Sequence, residues 1–95
     1  MQACDESFLM GNWFVSQAEI DANVKIGKRL ERRRKILGMS QRVLGEKIGL
    51  SDFKPIYKYE TGEVRIPAVR LYTLSIALEC PISYFFEDLP NGLTL

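Results

Sequence analysis

The side chains of this chain that could do chemistry are mainly cationic. Its 95 residues include 13 Lys and Arg and 12 Asp and Glu, but no His. Without a histidine, the serines lack the usual base that activates a nucleophile. The acids Glu87 and Asp88 are only sequence neighbours, and we find neither a metal-ligand cluster nor a nucleotide-binding loop. The composition therefore gives little support to an enzyme, and we expect neither a metal nor a cofactor.

The positive charge is concentrated in the middle of the chain. Every Lys and Arg lies between Lys25 and Arg70, where there are only five acidic residues. This stretch carries a net charge of +8, whereas the whole chain carries +1. A basic centre between acidic ends is expected of a surface that meets phosphate, but a solvated charged face would have the same composition. Charge alone leaves both interpretations open.

The cysteines and the apolar stretches favour a cytoplasmic protein. Cys4 and Cys80 are too few for a disulfide framework, and Cys80 lies in an apolar run, where we expect a free core thiol. No basic residue precedes Lys25, and the apolar stretch 8–15 is too short and too interrupted for a signal peptide or a membrane span. We expect no membrane association.

The apolar periodicity predicts an all-α bundle of five short helices within residues 24–89, with no sheet. The first helix is expected to start at Val24, to stop at Gly38, and to have an outer face of Lys25, Lys28, Arg29, Arg32 and Lys35. Ser40 is the expected cap of the second helix. The buried side of the fourth helix is expected to comprise Leu71, Leu74, Ile76, Ala77 and Leu78, after Pro67 as its first residue. Ser83 is the expected cap of the fifth.

The third helix is the one whose start is least regular. Asp52 is the expected N-cap, which makes Pro55 the third helical residue, a position without an intrahelical N–H partner. Ile56 and Tyr59 are expected to face inward, and Gly62 is expected to end the helix. Together, Gly38-Met39-Ser40-Gln41 and Tyr59-Glu60-Thr61-Gly62 bound two short helices joined by a turn, which is the form of a helix-turn-helix.

Residues 1–23 differ in composition from the rest and are interpreted as an N-terminal arm. They are acidic and rich in large apolar side chains, namely Phe8, Leu9, Met10, Trp13, Phe14 and Val15. Gly11-Asn12 is a weak hairpin signal, and a short helix is an equal alternative. Such side chains should pack on the domain, on a protein partner or on a second copy of the chain. Residues 90–95 are interpreted as a tail.

Many short motifs occur in the order typical of one family. They include Ile26-Gly27-Lys28-Arg29-Leu30, Gly38-Met39-Ser40-Gln41, Leu44-Gly45, Tyr59-Glu60-Thr61-Gly62, Ile66-Pro67 and Ile82-Ser83-Tyr84-Phe85-Phe86. With these motifs the chain resembles the phage-repressor and Cro (XRE) family of helix-turn-helix DNA-binding proteins over about two-thirds of its length. The resemblance implies a repressor-like five-helix fold that binds double-stranded DNA.

The resemblance also implies roles for single residues. The third helix would lie in the major groove and present Phe53, Lys54, Tyr57 and Lys58, since lysine suits guanine O6 and N7 and an aromatic ring suits the thymine methyl group. Gln41 would reach phosphate or an adenine edge, and Arg65 would hold phosphate. Arg34 and Glu60 would form a buried ion pair between the first and third helices. The implied function is a homodimeric transcriptional regulator, a repressor, at an inverted-repeat operator.

Three departures from the family pattern keep an alternative open. The chain has one residue more than usual between Gly49 and Ile56, and Pro55 replaces a polar residue. Glu79 stands where a helix-ending glycine is common, so the fourth helix is expected to end without a left-handed cap. The alternative is a protein-interaction module on a helix-turn-helix scaffold, of the antitoxin type, with weak or lost DNA reading.

Overall fold

The computed structural model describes residues 16–90. Within this range the chain forms four α-helices and one 3-10 helix and contains no strand. The helices are α1 (Gln17–Ile36), α2 (Gln41–Lys47), α3 (Lys54–Thr61) and α4 (Ala68–Ala77), followed by the 3-10 helix (Ile82–Phe86). The all-α prediction is confirmed, but the fifth element is a 3-10 helix rather than an α-helix, and Pro81, not Ser83, precedes it.

Helix α1 begins at Gln17, seven residues before the predicted start at Val24. The Ser16 hydroxyl accepts a hydrogen bond from the Glu19 N–H (3.2 Å), and Ser16-x-x-Glu19 has the pattern of a capping box. The apolar spacing missed this start because the first turn of α1 is exposed throughout and so carries no buried stripe. The end at Gly38 is as expected, with φ +72° at that glycine.

Of the predicted boundaries at Ser40, Gly62 and Pro67, two are confirmed and one is wrong. Ser40 caps α2 through its hydroxyl, which accepts from the Val43 N–H (3.0 Å). Pro67 is the residue before α4 rather than its first residue. Gly62 ends α3 in a left-handed conformation, as the sequence predicts.

Helix α4 ends with a left-handed residue although no glycine is present. Glu79 has φ +57°, its N–H donates to the Ile76 carbonyl, and the Cys80 N–H donates to the Ser75 carbonyl. This pair of hydrogen bonds is a Schellman motif. The expectation that Glu79 leaves the helix without such a cap is therefore wrong. The left-handed conformation is unfavourable for a residue other than glycine. Arg33 offsets part of this cost, because its guanidinium donates hydrogen bonds to the carbonyls of Leu78 (2.8 Å) and Glu79 (3.1 Å).

The core lies where the four α-helices and the 3-10 helix meet. Its buried apolar residues are Leu30, Leu44, Ile56, Tyr59, Leu71, Leu74, Leu78 and Phe85. Ile76 was predicted to join them but is 61% exposed, because it lies on the opposite side of α4 from Leu71 and Leu74. Cys80 carries a free, partly buried thiol whose pKa is raised by burial. Cys4 and most of the interpreted N-terminal arm lie outside the described residues, as does the tail after Pro90.

Candidate DNA-binding surface

Helix α3 divides into a core face and a solvent face. Ile56 is fully buried and Tyr59 is 8% exposed, as predicted. Lys54, Tyr57 and Lys58 are all exposed, and half of the Tyr57 side chain is accessible. Positions three and four apart share one face of a helix, so these three side chains form one surface. That surface combines two ammonium groups with an aromatic ring carrying a hydroxyl.

The start of α3 differs from the prediction. Phe53 occupies the N-cap position and makes no side-chain capping bond, so Asp52 is not the N-cap and Pro55 is the second helical residue. The Asp52 carboxylate nevertheless accepts from the Lys54 N–H at 3.3 Å. Since Pro55 has no N–H, few amides of this first turn remain to donate outward. Phe53 lies at the border of the surface, 36% exposed.

The connection between α2 and α3 is long for this motif. Six residues, 48–53, separate the two helices, whereas three or four residues are common. Gly49 turns the chain with φ +87°. The Leu50 N–H returns to the Gly45 carbonyl at 2.8 Å and so closes the end of α2. The extra length is thus accommodated in the connection, and α3 still places Ile56 in the core.

A buried ion pair links α1 to α3. The Arg34 Nε lies 2.6 Å from Glu60 Oε2 and its Nη2 lies 3.0 Å from Glu60 Oε1, which is the pairing expected from the sequence. Arg34 also donates to the Met39 carbonyl at 2.8 Å. The hydrogen bond to Glu60 raises the pKa of Arg34, although burial acts against it. The pair therefore holds α1, α3 and the turn before α2 in one arrangement.

Gln41 is drawn into this cluster. Its Nε2 donates to Glu60 Oε1 at 2.9 Å, and its side chain is partly buried at the first position of α2. The Gln41 carbonyl oxygen and its second N–H are not used in this bond. A side chain oriented by a buried carboxylate can present those remaining groups in a fixed direction.

Close backbone contact reinforces the same junction. A Cβ built on Gly27 would lie 2.3 Å from the Tyr59 carbonyl oxygen and 2.7 Å from that of Glu60. Only a glycine permits this approach of α1 to the last turn of α3. The orientation of the exposed face of α3 is therefore set by Gly27 together with the ion pair.

Arg65 lies in the exposed loop between α3 and α4. Asn23 on α1 holds this loop, because its Nδ2 donates to the carbonyls of Gly62 (2.9 Å) and Val64 (3.3 Å). No role was predicted for Asn23, which precedes the predicted start of the first helix. Its contact spans 39 positions of sequence, so no local pattern could have identified it.

Arg29 is a second residue that the sequence assigned wrongly. It was expected on the outer face of the first helix, yet it is 5% exposed. Its Nη2 donates to Glu87 Oε1 at 2.6 Å, its Nε donates to the Tyr84 carbonyl, and its guanidinium stacks 3.8 Å from the centre of the Tyr84 ring. A signal for this inward orientation was available in the sequence. Arg29 and Arg33 are four residues apart and so lie in one row along the helix, next to the row of Leu30 and Arg34.

Residues 16–90 contain neither a metal-binding cluster nor a membrane-spanning helix. Residues 16–90 contain no group of His, Cys, Asp and Glu side chains suited to a metal ion. Among the helices of that range, none has the length and apolar character needed to cross a membrane. The exposed face of α3, with Gln41 and Arg65 on either side in sequence, remains the candidate surface.

Comparison with known proteins gives consistent results. A family model described as helix-turn-helix matches residues 30–85. An uncharacterized HTH-type transcriptional regulator of Sinorhizobium medicae is 47% identical over 69 residues, which are 73% of this chain and 49% of that protein. A transcriptional regulator in the ATPase CF(0) region of Rhodospirillum rubrum is 48% identical over 73 residues, 77% of this chain and 65% of that protein. The chain thus spans about half to two-thirds of these relatives.

The fold is also similar to that of a solved protein structure. The restriction-modification controller protein C.AhdI from Aeromonas hydrophila superimposes with a TM-score of 0.64 and 32% sequence identity. The match covers 70% of this chain and 97% of that protein. The similarity therefore extends over nearly the whole controller protein.

Proposed function

The chain belongs to the phage-repressor and Cro (XRE) helix-turn-helix family of transcriptional regulators, and from this premise we propose that it binds operator DNA with α3 in the major groove. The family consists of regulators and not of enzymes. The observation that carries the proposal is the two-sided character of α3, which buries Ile56 and Tyr59 and exposes Lys54, Tyr57 and Lys58.

The exposed side chains suit base edges in the major groove. Lys54 and Lys58 can donate to O6 and N7 of guanine, and the rings of Tyr57 and Phe53 can contact a thymine methyl group. Gln41 and Arg65 would contact backbone phosphate, which positions the protein without reading sequence. Two hydrogen bonds support these phosphate-contacting roles. Glu60 orients the Gln41 side chain, and Asn23 holds the loop that carries Arg65.

We propose that the protein acts as a homodimer at an inverted repeat. One helix of eight residues contacts few base pairs, and two copies one helical turn apart, about 34 Å, would double the site. An apolar stripe on α4 supports this, because Val69, Tyr72 and Ile76 share one face and are 75%, 60% and 61% exposed. Exposed apolar patches mark interaction surfaces. We further propose repression as the outcome, with a controller role such as that of C.AhdI as one form of it.

The test is to select a binding site from random duplexes and to compare it with unselected duplex over a range of salt concentrations. We expect the selected site to bind about a thousandfold tighter or more at physiological salt. Alanine at Lys54, Tyr57 or Lys58 should each relax preference at one position by about 1–3 kcal/mol. Lys35→Ala, on the exposed face of α1, is the control and should leave the preference unchanged.

Two results would oppose the proposal. Uniform weakening by all three α3 variants would mean that this helix does not read sequence, and the interaction-module alternative would then replace DNA reading. Sedimentation should give a dimer on the selected site and a loss of dimer for Ile76→Lys. A protein that is monomeric both free and on the selected DNA site would contradict the proposed dimer at an inverted repeat, but not the proposed reading of DNA by α3.

A further inference from the structure

An open groove lies between the N-terminal half of α1 and the loop that follows α3. Its volume is about 730 Å³. Ile26 and Leu71 line it beside the core, and Ile20 and Val64 line it while remaining 45% and 38% exposed. The groove does not include Lys54, Tyr57 or Lys58 of the exposed face of α3, but Arg65, which we propose for phosphate contact, lines its rim.

The lining of the groove is more apolar than polar, although it includes the charged residues Glu19, Glu63 and Arg65. Asn23 lies in it, but its Nδ2 already donates to the carbonyls of Gly62 and Val64. That amide therefore ties α1 to the loop and defines the width of the groove. Such a lining favours apolar side chains as occupants, since burying them removes both their surface and that of Ile20 and Val64 from water.

The cap of α1 shows where the preceding chain enters. Ser16 is the N-cap and Glu19 is the third helical residue, so Ile20 occupies the fourth helical position. In a capped helix, an apolar residue immediately before the cap packs against the fourth helical residue, which fixes the entry angle of the chain. Here that residue is Val15. By this pattern we expect Val15 to pack on Ile20 and the preceding residues to reach the edge of the groove.

The residues that precede the cap have the composition that the groove requires. Phe8, Leu9, Met10, Trp13, Phe14 and Val15 lie within eight positions. At about 3.3–3.6 Å per extended residue, this stretch can span about 25 Å from its entry at Ile20. We propose that residues 8–15 of the same chain fold back along α1 and fill the groove, with Trp13 and Phe14 against Ile20 and Val64.

Trp13 is the single tryptophan of the chain, so its fluorescence reports directly on this docking. In the full-length protein we expect emission at shorter wavelength than that of a solvent-exposed indole and protection from quenching by acrylamide. Val64→Asp places a charge in the groove and should shift the emission to longer wavelength and abolish the protection. Ile20→Gln, on an exposed part of α1, removes the staple partner and should have the same effect.

Val69→Asp is the matched control, because Val69 is 75% exposed on α4 and does not line the groove. It should leave the emission unchanged, and circular dichroism should show equal helix content in all four proteins. Solvent-like emission in the unmodified protein would overturn the proposal. So would a shift caused by Val69→Asp but not by Val64→Asp, which would place Trp13 on the α4 stripe. Protection that disappears on dilution would assign the occupant to a second copy. No DNA is present in this experiment, so its outcome is independent of the proposed function.

Discussion

Arg34 on α1 and Glu60 on α3 face each other as a doubly hydrogen-bonded pair whose side chains are only 9% and 3% exposed. Glu60 also accepts from Gln41, and Arg34 also donates to the Met39 carbonyl. One buried carboxylate thus connects α1, α2 and α3. In a domain of this size, the pair decides how the exposed face of α3 is presented.

Removing one member of the pair should be strongly destabilising. Glu60→Ala leaves the Arg34 guanidinium buried without its counter-charge, and we expect a loss of about 3–5 kcal/mol in the free energy of unfolding. Urea unfolding followed by circular dichroism measures it. Glu31→Ala, which breaks the exposed pair with Lys35, is the control and should cost less than about 1 kcal/mol. Equal losses for the two variants would contradict the buried character of the Arg34–Glu60 pair.

Gly27→Ala should destabilise the domain although alanine favours helices. The gain from helix propensity is about 0.5–1 kcal/mol. Against it, the added Cβ would lie 2.3 Å from the Tyr59 carbonyl oxygen, a backbone atom that can move only if α1 and α3 separate. Overpacking of this kind costs about 1–3 kcal/mol or more. Thermal unfolding should therefore show a lower Tm.

Gly45→Ala is the control for that change. Its Cβ would meet the Asp52 carbonyl oxygen at 3.2 Å, a contact that a small shift relieves. We expect a much smaller change in Tm than for Gly27→Ala. A Gly27→Ala protein as stable as the unmodified one would mean that α1 and α3 do not approach as closely as described.

Glu79→Gly should stabilise the domain. A left-handed conformation costs a non-glycine residue about 1–2 kcal/mol, and the flexibility of glycine in the unfolded chain offsets about 0.5–1 kcal/mol of that gain. The net increase in the free energy of unfolding, measured by urea unfolding, should therefore be between zero and about 1.5 kcal/mol. Glu63→Gly is the control, since Glu63 does not have a positive φ, and it should be neutral or destabilising. A loss of stability for Glu79→Gly would disprove the strain at this position.

Arg65 and Gln41 should affect DNA affinity without affecting sequence preference. If Arg65 contacts phosphate, Arg65→Ala should weaken binding to all duplexes alike and lower the slope of log affinity against log salt by about one. Gln41→Ala should also weaken all sequences alike but leave the slope nearly unchanged, because its side chain is neutral. Titration of single-base variants of the selected site at several salt concentrations measures both. A preference lost at one position would instead assign that residue to base reading.

The sequence predicted most of the scaffold because its signals are local. Gly38 and Gly62 end helices through a conformation that glycine adopts without strain, and Ser40 caps α2 with an oxygen three residues from the amide it accepts from. The partner of Arg34 was predicted from the resemblance to the family and not from a local signal. Where helical signals were weak, the predictions were wrong. The exposed first turn of α1 carries no buried stripe and so concealed the start of the helix, and the short apolar run after Pro81 gave no means to distinguish a 3-10 from an α-helix.

Only the tertiary structure decided which face of a residue's helix is buried and which distant group it contacts. The sequence places Arg29 on the solvent-exposed face of the first helix. Folding nevertheless brings Tyr84 and Glu87 to it, from 55 or more positions away along the chain. Ile76 is a different case, because its spacing from Leu71 and Leu74 already places it on the opposite side of α4. Asn23 owes its contacts to the loop carbonyls of Gly62 and Val64, which folding brings to it. For Arg29 and Asn23 the reason is the same: periodicity states which residues share a face, whereas the packing of the other elements determines which face is covered and by which groups.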